Sequence, residues 1–219
     1  MMTILIVFIG QALPCNCAEF APIKPLTADQ KAILDEQDEL YDKLPSQCPN
    51  LVERLQNLLK KQEIAFGYDS PQVACTLDQL WWLYKSENKL EPQIAVAKRS
   101  MEIKQKILGP QAVDSAAALC HLANSLAANK QYEAALSLLQ NYLKTLDATE
   151  TRSAETMTIY EIGQTYSAWK KYDEAQPWFD KTIDYKLKYA PNSRVTPSYH
   201  KAFVSQRDNK RLVRRSRAW

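Results

Sequence analysis

The chain is poor in the residues that turns and catalytic centres draw on. It has four glycines and two histidines in 219 residues. So few glycines, with little alternation of β-branched and polar residues, argue against a sheet, because strands need turns built from residues that tolerate unusual backbone angles. His121 and His200 belong to no Cys-x-x-Cys, His-x-x-x-His or His-Glu pattern, which removes the usual metal signatures. A phosphate-cradling glycine loop is missing as well. Cys120 and His121 are adjacent, which places them about 100° apart around a helix, so they cannot act on each other as nucleophile and base. No catalytic residue, metal, cofactor or small-molecule substrate is expected.

Apolar runs are also short. Ile4 to Ile9 form one, followed by Gly10, Pro14 and the small-residue stretch Cys15 to Ala18, the layout of a secretory signal. No Lys or Arg precedes the run, so only the terminal amine supplies positive charge. We read residues 1–18 as a signal peptide and expect export to the periplasm or exterior. Lipid attachment at Cys15 or Cys17 is disfavoured by Pro14. A cut after Ala18 would leave Cys48, Cys75 and Cys120, an odd number without paired spacing; a single bridge among them stays open.

The net charge of +3 hides an asymmetry. Residues 198–219 carry seven Lys or Arg (Lys201, Arg207, Lys210, Arg211, Arg214, Arg215, Arg217) against Asp208, so the remainder is acidic. Residues 193–219 read as a basic helix and tail, an end cap that could also touch an anionic surface.

What the chain has is self-similarity. Gly67 and Gly109 lie 42 residues apart, each reading as a helix stop before a new start. The same offset pairs Leu77 with Leu119, Leu80 with Leu122 and Leu90 with Tyr132. A third copy follows at 40, where Leu119, Ala123, Tyr132, Ala135 and Leu139 meet Ile159, Gly163, Tyr172, Ala175 and Phe179, the two-residue difference falling at Asp147 to Thr151. Within a copy, apolar residues recur at three and four, break at a short polar turn (Glu87 to Lys89, Asn129 to Gln131, Lys170 to Lys171) and resume. Each copy is a helical hairpin that cannot bury its own apolar stripe, so the hairpins must stack. Ala123 or Gly163 on a first helix and Ala135 or Ala175 on a second would allow close approach. The first copy has Trp81 and Gln93 there, which predicts a wider or rotated pair. Upstream, Thr27 and Gln30 have capping-box spacing and open a helix expected to pair with Asn50 to Phe66.

The strings Y-E-A-A-L-S-L-L from Tyr132 and Y-D-E-A-Q-P-W-F from Tyr172, with Leu-Gly-Pro at 108–110, resemble the 42-residue tetratricopeptide (TPR) repeats of kinesin light chains and many bacterial proteins. The resemblance covers residues 48–192, with 19–47 as linker and N-terminal helix. It implies an all-α, right-handed α-solenoid, and a non-enzymatic, monomeric scaffold that binds a protein or peptide partner in its concave groove. Groove positions carried over from the family fall on Asp78, Trp82, Lys85, His121, Asn124, Tyr160, Glu161 and Gln164, besides Cys75, Ala117, Cys120, Ala128, Met157 and Ala168. The Lys/Arg/Asn clamp that some members use on a C-terminal carboxylate has no cationic counterpart here, and Asp78 and Glu161 suggest a cationic or mixed partner. The alternative is a membrane- or polyanion-associated factor acting through the basic tail.

Overall fold

In a computed structural model of the chain, residues 25–41, 43, 47–48, 50–146 and 152–189 are described. The signal-peptide reading, the basic tail and the loop at 147–151 lie outside them. Eight helices and no strand occur among the described residues: α1 (Ala28–Tyr41), α2 (Leu51–Phe66), α3 (Pro71–Ser86), α4 (Leu90–Leu108), α5 (Val113–Ala128), α6 (Tyr132–Thr145), α7 (Arg152–Ala168) and α8 (Tyr172–Tyr189). Each helix packs on the next, and the first helices of neighbouring hairpins also meet, α3 with α5 and α5 with α7. This is the α-solenoid of antiparallel hairpins that the repeat predicts.

Local chemistry sets the ends. The capping box is closed in both directions: the Thr27 N–H donates to Gln30 Oε1 at 3.0 Å and the Gln30 N–H donates to Thr27 Oγ1 at 3.2 Å. Ser70 caps α3 by accepting from the Val73 N–H, with Pro71 in the first turn where its missing donor costs nothing. Gly67 and Gly109 stop α2 and α4 at φ values of 94° and 81°, which a side chain would resist. Pro92 lies in the first turn of α4, while α8 continues through Pro177.

The turns inside the hairpins repeat to the residue. Asn88, Lys130 and Lys170 adopt left-handed φ values of 55°, 61° and 62°. The following N–H of Lys89, Gln131 and Lys171 reaches back to the carbonyl of Tyr84, Leu126 and Tyr166 at 2.9 Å each. This is the Schellman closure, built three times without glycine.

The first hairpin is tied to the rest by a buried polar chain. The Gln62 amide donates to Gln37 Oε1 at 2.7 Å and the Thr76 hydroxyl donates to Gln62 Oε1 at 2.8 Å, linking α1, α2 and α3. Around it Leu40, Leu51, Leu55, Leu58 and Leu80 form one core cluster, so α1 pairs with α2 as expected.

At one position pair the copies trade volume. Trp81 and Ala97 share a buried cluster with Leu122. The equivalent pair is Ala123 and Leu139 in the second copy, and Gly163 and Phe179 in the third. A large residue on one helix is met by a small one on the other, which conserves packing. In the first copy the small residue that meets Trp81 is Ala97. Gly163 is closed in by Phe179, since a Cβ there would lie 2.9 Å from the ring. Gly163→Ala is expected to cost about 1–3 kcal/mol in thermal or urea denaturation. Adding Phe179→Leu, which recreates the Ala123–Leu139 pair, should restore much of the loss.

Candidate functional site

Helical phase puts residues at i, i+4 and i+7 on one face. On α3 these are Cys75, Gln79 and Trp82; on α5 they are Ala117, His121 and Asn124; on α7 they are Met157, Glu161 and Gln164. Because α3, α5 and α7 stand side by side, the three rows form a grid across these first helices. One column reads Trp82, Asn124, Gln164 and another Gln79, His121, Glu161. Gln79 is not among the sequence-derived candidates, although the 42-residue offset aligns it with His121.

Trp82 is 39% exposed, whereas its neighbour Trp81 is 2% exposed. Trp81 turns inward, stacks on His121 at 3.9 Å and 12°, and donates its indole N–H to Ser125 Oγ at 2.8 Å. Trp82 meets Trp81 edge-on at 4.7 Å and His121 at 5.8 Å. The Lys85 ammonium lies 4.7 Å from the Trp81 ring centre and 5.3 Å from that of Trp82. Desolvation there lowers the Lys85 pKa, against an opposing pull from Glu161.

His121 is held neutral. Its surroundings bring its pKa down to about 4, chiefly through burial, with Lys104 and Lys85 pushing the same way and Asp78 opposing. Its Nδ1 is buried, has no hydrogen-bond partner and lies 3.9 Å from Asp78 Oδ1. Asp78 itself is engaged from α4, accepting from the Ser100 hydroxyl at 2.6 Å and pairing with the Lys104 ammonium. Its carboxylate therefore ties α3 to α4 and does not stand open to a cationic partner.

The α5–α7 side is joined by the Asn124 amide, which donates to Glu161 Oε1 at 3.1 Å. Burial raises the Glu161 pKa, while this hydrogen bond and Lys85 hold it down. The Gln164 amide donates to the Tyr160 hydroxyl, and the Tyr160 ring sits 5.9 Å from Phe179. Cys120 belongs to the core and burial pushes its thiol well above the ordinary range, the opposite of what a nucleophile needs. Cys75 is disulfide-bonded, whereas Cys48 and Cys120 are thiols, so no bridge joins the three. The structure thus brings Trp82, Lys85, His121, Asn124 and Glu161 into one neighbourhood, places Tyr160 and Gln164 beside it on α7, and commits Asp78 to α4.

Among the described residues no helix is long and apolar enough to cross a membrane, and no group of three His, Cys, Asp or Glu could hold a metal ion. No protein-family model matches the sequence. No curated protein matches it either. Solved structures do resemble the fold. A single-substitution form of a Podosopora anserina protein, assigned as a kinesin light chain with nearly identical TPR-like repeats, superposes with a TM-score of 0.64 at 18% identity, covering 74% of this chain and 79% of that one. Another crystal structure of that protein gives 0.63 at 18% identity, covering 77% and 81%. BtubC (BKLC) from P. vanneervenii gives 0.54 at 18% identity, covering 76% and 77%. With the repeat and stacked hairpins already in place, this likeness establishes that the chain has the fold of TPR-like helical repeat proteins.

Proposed function

We propose that the chain is a non-catalytic scaffold outside the cytoplasm that holds one extended segment of a partner protein across the column Trp82, Asn124 and Gln164. The observation that carries the reading is the contrast between adjacent tryptophans: Trp81 is 2% exposed, while Trp82 stays 39% exposed. A half-open indole is costly to leave in water and suits an aromatic anchor. The side-chain amides of Asn124 and Gln164 sit at the equivalent positions, and although one N–H of each goes to Glu161 or Tyr160, an amide has a second N–H and a carbonyl oxygen to offer a peptide main chain. The TPR-like fold supports a protein-interaction scaffold in general.

With Asp78 committed to Lys104, the charge of the surface toward a partner rests on Glu161 and Lys85, which offset each other. We therefore read the partner segment as uncharged or mixed at this point. The test compares proteins captured from the native host by the wild type, by a Trp82→Ala, Asn124→Ala, Gln164→Ala variant, and by a control altered at exposed second-helix positions, Lys98→Ala with Ser137→Ala. Each alanine in a binding centre is expected to cost about 1–2 kcal/mol, so the triple variant should lose its prey and the control should keep it. Equal capture by all three would refute the groove reading.

A further inference from the structure

Two opposite charges on the first helices act on each other without pairing. Glu161, partly buried on α7, accepts from the Asn124 amide at Oε1 at 3.1 Å, and among the described residues Oε2 accepts no hydrogen bond. The Lys85 ammonium on α3 lies over the rings of Trp81 and Trp82, 4.7 and 5.3 Å from their centres, and among the described residues it has no hydrogen bond and no ion pair. Each favours the charged form of the other, yet they stand too far apart for an ion pair. A partly desolvated carboxylate left with an unsatisfied oxygen is costly, and such groups concentrate at binding sites. Asn124, which holds Glu161, stands beside Trp82 in the column of the grid, so both charges border the line along which the partner segment is read to run.

We infer that the space between Lys85 and Glu161 receives the side-chain carboxamide of an asparagine or glutamine in the partner segment, its carbonyl oxygen accepting from the Lys85 ammonium and its N–H donating to Glu161 Oε2. This rests on the groove reading and adds the identity of one partner residue. A carboxamide carries an acceptor and a donor on separate atoms and stays neutral across the working pH range. A hydroxyl offers both from a single oxygen and cannot bridge two groups that stand apart. Histidine has both while neutral, but the carboxylate favours its proton, after which it meets Lys85 as a cation. Arg or Lys is repelled by Lys85, and Asp or Glu by Glu161, so each charged residue is rejected by one side of the pair. The neighbouring Asp78 and Lys104 pair with each other and leave this balance unchanged.

The experiment selects random linear peptides displayed on phage against the full chain and sequences those it enriches. Asn or Gln should dominate one position, and Ala in its place in the synthetic consensus peptide should weaken binding about tenfold, the worth of one hydrogen bond to a charged group. Selection is repeated on Lys85→Glu, a change at an exposed position, and on Glu161→Lys. Lys85→Glu sets two carboxylates at the gap and should shift that position to Lys or Arg, while Glu161→Lys should shift it to Asp or Glu. Where Glu161→Lys does not fold, Lys85→Glu decides alone. Enrichment of any other residue, no preference at any position, or an amide preference that survives Lys85→Glu overturns the carboxamide. If those peptides still lose binding to the Trp82→Ala, Asn124→Ala, Gln164→Ala variant, the groove reading stands without it. A selection that enriches no peptide, or only peptides indifferent to the triple variant, overturns both.

Discussion

Replacing Trp81 with alanine is expected to lower the stability of the chain by about 3–5 kcal/mol, a large share of the roughly 5–15 kcal/mol that a folded domain has. The indole is buried where α3, α4 and α5 converge, so its loss opens a cavity at a hairpin boundary. It also removes the ring stacked on His121 and the N–H given to Ser125 Oγ. Trp81→Phe keeps most of the volume and loses mainly the hydrogen bond, which should cost about 1–2 kcal/mol. The volume trade supplies a sharper control. Trp81→Ala combined with Ala97→Leu recreates the arrangement of Ala123 and Leu139, and denaturant unfolding should show it more stable than Trp81→Ala alone. A double variant weaker than the single one would mean that the equivalence between copies is wrong.

The second large effect is a dependence on pH carried by His121. Its pKa is brought down from 6.5 to about 4 in the fold, so the folded state holds the neutral ring and the unfolded chain takes up the proton first. Stability from this group is therefore complete above about 6.5 and is lost as the pH falls toward 4, by about 3 kcal/mol in all. The groups that face the ring are Trp81 and Trp82, Asp78 at 3.9 Å, and the ammonium groups of Lys104 and Lys85. Glu161 acts in the reverse sense, because its raised pKa adds stability as the pH falls. Ordinary carboxylates titrate in any variant, so the measurement is the difference between wild type and His121→Phe from pH 7 to pH 4. The wild type should lose about 3 kcal/mol more than the variant over that range. Parallel curves would contradict the neutral, desolvated histidine.

Much of the fold can be read from the chain because repetition multiplies weak signals. One glycine or one polar turn says little, but Gly67 with Gly109, and Asn88 with Lys130 and Lys170, recur at the period of the apolar stripe, and each does the same backbone work in the structure. The capping box of Thr27 and Gln30 is legible because both its partners lie within one turn. Long-range choices are not. Nothing local marks Ala97 as the residue that makes room for Trp81, since that match depends on how α4 turns against α3. Asp78 shows the same limit: its position points to a groove, but Lys104 and Ser100, a full helix away, claim its carboxylate. Gln79 differs from both. The offset that aligns the cores also holds on the polar face, where it sets Gln79 beside His121 and Glu161, so its place in the grid is written in the repeat itself.

Asn124 and Gln164 hold positions equivalent to Trp82, and the central proposal is that one partner segment crosses all three rows. The direct measurement places a photoreactive benzoylphenylalanine at position 82, 124 or 164, with positions 98 and 137 as controls, and maps each crosslink on a captured partner. The account predicts that the three groove positions mark successive stretches of a single partner segment, in order along it, and that the controls mark none of it. Crosslinks only from positions 98 and 137, or groove crosslinks scattered over unrelated parts of the partner, would contradict it.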